Sequence, residues 1–275
     1  MSVSDVTLTA SARSNLQALQ NTAQLLDSTQ EQLSTGKAVN SAADNANAYF
    51  ASQGFLNRAN QLSNIKDTLS TGLQTITSFN QSITDASNLV TQLQGITTQA
   101  LGTSSTATRA GLASQFNSLL TQLDLLVNDA TFNGTNLLNS SATSNTLIVY
   151  FNETNTTALT INGVNITHSG LSIGSATGAF SSSSNINTAG SLLLTALSTL
   201  RTDAANFGGN ATLIQTRQDF TTNLINSLQT ASDNLTLADT NQAGASLQAL
   251  QAQDQLGIVA LGISGQLAQA ILKLF

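Results

Sequence analysis

LSTGLQTITSFNQSITDASNLVTQL, residues 69–93, decides the fold. Its apolar residues Leu69, Leu73, Ile76, Phe79, Ile83, Ala86, Val90 and Leu93 recur at intervals of 4, 3, 3, 4, 3, 4 and 3, which places them on one stripe of an α-helix. A strand could not use this order, because it sends alternate side chains to opposite faces. The chain contains no Pro, so nothing breaks the helical reading between about Ala46 and Leu101. Helical throughout, that segment would measure ~80 Å at 1.5 Å per residue, far beyond the helix of a compact domain, and predicts a rod.

Working outward, Gly102 to Thr108 reads as a small polar turn. Beyond it Leu112, Phe116, Leu119, Leu123, Leu126 and Ala130 give the cleanest heptad, at intervals of 4, 3, 4, 3 and 4. Toward the N-terminus, Leu16, Leu19, Ala23, Leu26 and Leu33 form another helical stripe. Ser34 to Asn45 loses the period and gathers Gly36, Asn40, Ser41, Asp44 and Asn45, residues of turns and caps, which predicts a linker.

After Phe132-Asn133-Gly134 the pattern changes to short β-type runs, Leu147–Phe151, Thr156–Ile161 and Val164–Thr167, with Asn162-Gly163 as a hairpin signal. Residues 169–190 are rich in Ser, Gly and Asn and read as a tolerant surface segment. Helical spacing returns at Leu193, Leu197 and Leu200, weakens at Gly208-Gly209, and resumes through Leu213, Phe220, Leu224, Leu228, Ala231 and Leu235. Asp239 to Gly244 breaks it. The last stretch carries Ala249, Ala252, Leu256, Val259, Ile263, Leu267 and Ala270 on one face, with Leu261, Ile271, Leu272, Leu274 and Phe275 added, too apolar for an isolated helix in water. The expected fold is therefore mainly α: a long antiparallel helical coiled-coil or bundle rod, with paired terminal helices and a small β-hairpin insert.

Composition removes several chemistries. With no Cys and a single His there is no thiol nucleophile, disulfide, Cys-ligated zinc or paired imidazole, so no catalytic, cofactor or metal site is expected. His168 reads as a solvated loop residue, and Asp124 and Asp129 have no evident partner to shift them. Gly257, Gly262 and Gly265 lack phosphate-loop spacing and read as close helix packing. Asn-x-Ser/Thr triplets at Asn152, Asn155 and Asn165 are expected by chance in a chain that is about 45% Ser, Thr, Asn and Gln. The net charge of −6 from 14 acidic and 8 basic residues, without a basic run, argues against nucleic acid and anionic membranes as partners. Neither a cleaved signal sequence nor a membrane span is apparent.

Gln32-Leu33-Ser34-Thr35-Gly36-Lys37, followed by Val39-Asn40-Ser41-Ala42 and Asp44-Asn45, resembles the signature after the first helix of bacterial flagellins. Phe132-Asn133-Gly134-Thr135-Asn136-Leu137-Leu138 is similar to the motif closing their third helix, and Ala238-Asp239 to the pair before their last segment. Ile271-Leu272-Lys273-Leu274-Phe275 most resembles flagellins of alphaproteobacteria. This resemblance covers residues 5–138 and 190–275. It implies a subunit exported without a cleaved signal peptide and assembled into an extracellular flagellar filament for swimming. Its partners would be other copies of itself, a flagellar export chaperone, the filament cap and hook-junction proteins.

The resemblance further implies five parts: an N-terminal inner-core helix and linker (1–45), the first part of a helical shell (46–138), an exposed β-hairpin insert (139–190), the second part of the shell (191–240) and a C-terminal inner-core helix (241–275). Inner-core polymerisation then falls to Leu16, Leu19, Leu26, Leu33, Leu256, Val259, Ile263, Leu267, Leu272 and Phe275. Shell packing falls to the stripe residues from Leu69 to Leu93, to Leu112–Leu126 and to Phe220, Leu224, Leu228 and Leu235. The rival readings are a hook–filament junction protein, or another coiled-coil structural protein of a secretion system. A protease carried in the middle segment would need His-Glu-x-x-His, which is absent.

Overall fold

The computed structural model describes residues 10–141 and 145–272, except for the side chains of Ala268, Ile271 and Leu272. Among them are five α-helices, α1 (Ala10–Thr35), α2 (Ala46–Leu101), α3 (Thr106–Asp129), α4 (Ser183–Thr236) and α5 (Thr240–Leu272), and two strands, β1 (Thr146–Tyr150) and β2 (Ala158–Asn162). The chain divides into two compact units, residues 1–59 with 226–275, and residues 60–225. Helices α2 and α4 each contribute to both.

The larger unit is built on the stripe that opens the sequence. Leu69, Ile76, Phe79, Ile83, Ala86, Val90 and Leu93 are all buried in one core cluster with Phe116 and Leu123 of α3, while Leu73, Leu112, Leu119 and Leu126 are half-buried against it. Helix α3 is rotated slightly from its expected phase, so that Ala113, Leu120 and Val127 are the companions fully inside. Ser105 caps it, its hydroxyl accepting from the Thr108 N–H at 3.3 Å.

Helix α4 corrects the sequence reading. Ile186, Leu193, Leu200, Phe207, Ile214, Thr221 and Leu228 are buried at intervals of seven residues, and the helix runs unbroken through Gly208-Gly209. Phe220, expected in the shell packing, is instead exposed. The adjacent Thr221 holds the inner position and satisfies its hydroxyl by donating to the Arg217 carbonyl at 2.8 Å, which turns Phe220 outward. Leu213 stands outside in the same way beside Ile214.

The strands also differ from expectation. β1 pairs antiparallel with β2, from Thr146 opposite Asn162 to Tyr150 opposite Ala158, and the connection is organised by Asn152, whose side-chain Oδ1 accepts from the N–H groups of Thr156 and Thr157. Asn162-Gly163 is not the hairpin turn. Past it, the Val164 and Ile166 N–H groups donate to the carbonyls of Leu137 and Leu138 at 2.8 and 3.0 Å, so Val164–Thr167 follows the buried Leu137-Leu138 pair rather than β2. The 139–190 segment is not confined to the surface: Val149, Ile161, Ile166, Leu171, Ile173, Phe180 and Ile186 lie in the core. Phe180 reaches it through a turn in which Gly178, Ala179 and Phe180 all have positive φ, and its ring meets Phe116 edge-on at 5.3 Å.

Candidate functional site

The smaller unit holds the terminal helices. Along α1 a shielded seam runs through Ala12, Asn15, Leu19, Thr22, Leu26 and Thr29, at intervals of 3, 4, 3, 4 and 3, with Leu16 and Gln32 half-buried as well. Along α5 a matching seam runs through Ala243, Leu247, Leu250, Asp254, Gly257, Leu261 and Ser264, at 4, 3, 4, 3, 4 and 3. Both are heptad seams. The helices run antiparallel, since Asn15 donates to the Ser264 hydroxyl at 3.4 Å and Leu19 packs on Gly257, while Lys37 bridges Leu237 at the other end.

That far end is a clasp made of backbone. The Ala38 and Val39 N–H groups donate to the Thr236 carbonyl, and the Ala238 N–H returns a bond to the Gly36 carbonyl at 3.0 Å. Gly36 has φ of 69°, which lets the chain leave α1 in a left-handed step. Asp44 then folds the linker back: its Oδ2 accepts from the N–H groups of Asn40 and Ser41 and from the Ser41 hydroxyl, and the Ser41 and Asn40 backbone donors hold its carboxyl below the ordinary range. Asn45 caps α2 by accepting from Ala48, and Asp239 caps α5 by accepting from Asn241 and Gln242. The polar residues of the three quoted motifs thus set helix ends, as Asn136 does at α3, where its Nδ2 donates to the Val127 carbonyl at 2.8 Å and its Oδ1 accepts from Leu138.

The expected inner-core residues do not converge on one seam. Leu16, Leu19 and Leu26 are half-buried along α1, but Leu33 is 40% exposed while the adjacent Gln32 takes the shielded position. Leu256, Val259, Ile263 and Leu267 are 70%, 57%, 53% and 59% exposed. They form a second stripe on α5, offset by about one residue from the seam through Gly257 and Ser264. The Leu272 side chain and Phe275 lie outside the described residues. Of the shell set, Leu228 is buried and Leu224 half-buried. Leu235 is turned out because Ser232 and Thr236 take the inward positions, the Ser232 hydroxyl meeting that of Ser52 at 3.1 Å.

The resulting chemistry is one of surfaces. On α5 Leu247, Leu250 and Leu261 share the seam to α1 with Asp254, Gly257 and Ser264, whereas Leu256, Val259, Ile263 and Leu267 stand outside it. Two pairings escaped sequence reasoning. The His168 N–H donates to Asp124 Oδ1 at 2.8 Å while Nδ1 meets Oδ2, fixing the segment after β2 to α3. Arg217 lies over the Phe151 ring at 5.0 Å. No spacing rule links residues 44 apart in sequence.

Comparison with known proteins agrees with this arrangement. The profile of the bacterial flagellin N-terminal helical region matches residues 6–143. Flagellin FljO of Caulobacter vibrioides is 29% identical over 276 residues, covering 100% of both chains, and the flagellin of Brucella melitensis is 27% identical over 275 residues, covering 97% of both. The crystal structure of Bacillus cereus flagellin superposes with a TM-score of 0.50 at 18% identity, over 56% of this chain and 88% of that one, a likeness of fold. With a matched profile spanning half its length and the motifs that the profile's helices need at their ends, the chain belongs to the bacterial flagellins, the structural subunits of the flagellar filament.

Proposed function

We propose that this flagellin polymerises by burying the outer stripe of α5, Leu256, Val259, Ile263 and Leu267, against neighbouring copies, so that the paired terminal helices form the inner core of the filament and α2–α4 its shell. The observation that carries this reading is a second apolar stripe on α5: the seam to α1 takes Leu247, Leu250, Asp254, Gly257, Leu261 and Ser264, while Leu256, Val259, Ile263 and Leu267 on a neighbouring face stand in solvent. Fully burying one such side chain contributes ~1.5–3 kcal/mol, so covering the four with neighbouring copies would favour association by several kcal/mol per subunit.

The work done is mechanical rather than chemical. The chain travels unfolded through the flagellar export channel without a cleaved signal peptide, with an export chaperone holding the apolar C-terminal segment, and joins the filament below its cap and beyond the hook-junction proteins. Among the described residues no helix is long and apolar enough to cross a membrane. Monomers obtained by heating and then seeded with filament fragments test the reading by electron microscopy. Long tubes of uniform width are expected; a persistent monomer, or growth that stops at a short collar, would contradict it.

A further inference from the structure

Two Asn-Gly pairs occur in the sequence, Asn133-Gly134 and Asn162-Gly163, and the fold treats them differently. Asn followed by Gly is the pair most open to attack on its own side-chain amide, because a residue without a side chain lets its backbone nitrogen swing toward the neighbouring Cγ. At Asn162-Gly163 that movement is blocked. Asn162 is paired with Thr146 in the sheet, the Gly163 N–H donates to the Asn145 carbonyl at 2.6 Å, and a β-carbon on Gly163 would stand 2.7 Å from that oxygen and 3.0 Å from the Leu137 oxygen.

Asn133 and Gly134 are instead the central residues of an exposed two-residue turn, with φ of 50° and 78°. The turn is closed by the Phe132 N–H to the Thr135 carbonyl at 2.9 Å and the Thr135 N–H to the Phe132 carbonyl at 3.0 Å. Neither bond engages the Gly134 N–H, and no neighbouring atom lies within 4 Å of where a Gly134 β-carbon would sit. Opening such a turn takes far less free energy than opening the sheet end that holds Gly163.

We propose that Asn133 is a site of spontaneous deamidation in the folded chain, and that Asn162 is protected. The Gly134 nitrogen gives its proton to base and bonds to Asn133 Cγ; the Cγ–Nδ2 bond breaks, and ammonia leaves carrying a proton from water, closing a five-membered succinimide. Water then opens the ring at either carbonyl, leaving an aspartyl residue or an isoaspartyl linkage that routes the main chain through the former side chain. The sum consumes one water and releases one ammonia. Each event adds a carboxylate to a chain of net charge −6, at the turn that follows α3.

The test incubates the purified full chain at mildly alkaline pH, folded and in urea, and follows both sites by peptide mass mapping and by labelling with an isoaspartyl carboxyl methyltransferase. In the folded chain Asn133 should convert at least about tenfold faster than Asn162, and in urea the two should convert within about twofold of each other. Asn133→Gly, which keeps a residue tolerant of positive φ and removes the amide, should abolish methyl acceptance by the folded chain. Equal conversion at the two sites in the folded chain, faster conversion at Asn162, or no conversion at Asn133 while the urea sample converts, would overturn the proposal.

Discussion

Leu19 of α1 packs so closely on Gly257 of α5 that a β-carbon at position 257 would stand 2.8 Å from the leucine Cδ1. Glycine within a helix costs about 1 kcal/mol relative to alanine, and here it leaves room for the Leu19 side chain between the two helices. Leu256 and Ile258, on either side, face solvent. At this contact the seam uses a glycine, while Leu256, Val259, Ile263 and Leu267 stand outside it.

Gly257→Val should force Leu19 aside and loosen the pair by about 1–3 kcal/mol, the usual effect of overfilling a packed site. Hydrogen exchange of residues 12–29 in the monomer would read this as faster exchange. Unchanged or slower exchange would show that the helices are not held at this contact.

Asp124→Ala should release His168 from α3. It removes the acceptor of the His168 N–H and of Nδ1, and leaving such donors unpaired costs ~1–3 kcal/mol. The loss should appear as a lower urea midpoint, with increased exchange confined first to residues 166–173. A midpoint equal to that of the parent chain would mean that water replaces the carboxylate without loss.

Phe180→Ala should be the most damaging change in the segment that looks tolerant from sequence. The side chain is fully buried and its ring meets Phe116, so truncation should cost ~3–5 kcal/mol. Thermal unfolding followed by circular dichroism measures it, and a loss smaller than that of an ordinary surface substitution would contradict the packing described.

Two carboxylates should respond to acid in opposite directions. The pKa of Asp44 is held below its ordinary 3.8 by the Ser41 and Asn40 donors, so its contribution is present above that value and disappears as pH falls through the depressed one. The pKa of Asp203 on α4 is raised above 3.8 by burial, so its contribution is present below the ordinary value and is lost as pH rises through the raised one. Asp203→Asn should accordingly stabilise the chain at neutral pH and leave it unchanged in strong acid, whereas Asp44→Asn should destabilise it only at the higher pH. Urea midpoints at the two pH values decide both. A destabilised Asp203→Asn chain at neutral pH would contradict the assignment.

The bundle was legible in the sequence because the α2 stripe repeats large apolar residues without a breaker, from Leu69 to Leu93, and burial then follows periodicity. Helix α4 was misread where local character and tertiary position disagree: Leu213 and Phe220 are large but outside, while Thr221 is polar and inside. Asn162-Gly163 carried the stronger turn signal, yet Asn152 makes the hairpin connection, because Gly163 and the residues after it are bound to the backbone of Asn145, Leu137 and Leu138. The His168–Asp124 pair had no local trace. The outer stripe of α5 was visible from Leu256 to Leu267, but its exposure was not, since spacing cannot tell which of two apolar faces a partner helix will choose.

Seeded growth of Val259→Asp tests the proposed assembly face most directly. Val259 is 57% exposed in the single chain, so the variant should melt within about 0.5 kcal/mol of the parent, as surface substitutions do. A filament that buries the stripe would then carry an unpaired charge in every subunit, at several kcal/mol each, and elongation from parent seeds should fail while the monomer stays folded. Filaments of normal length grown from folded Val259→Asp monomer would show that the outer stripe of α5 is not the face that holds neighbouring copies together.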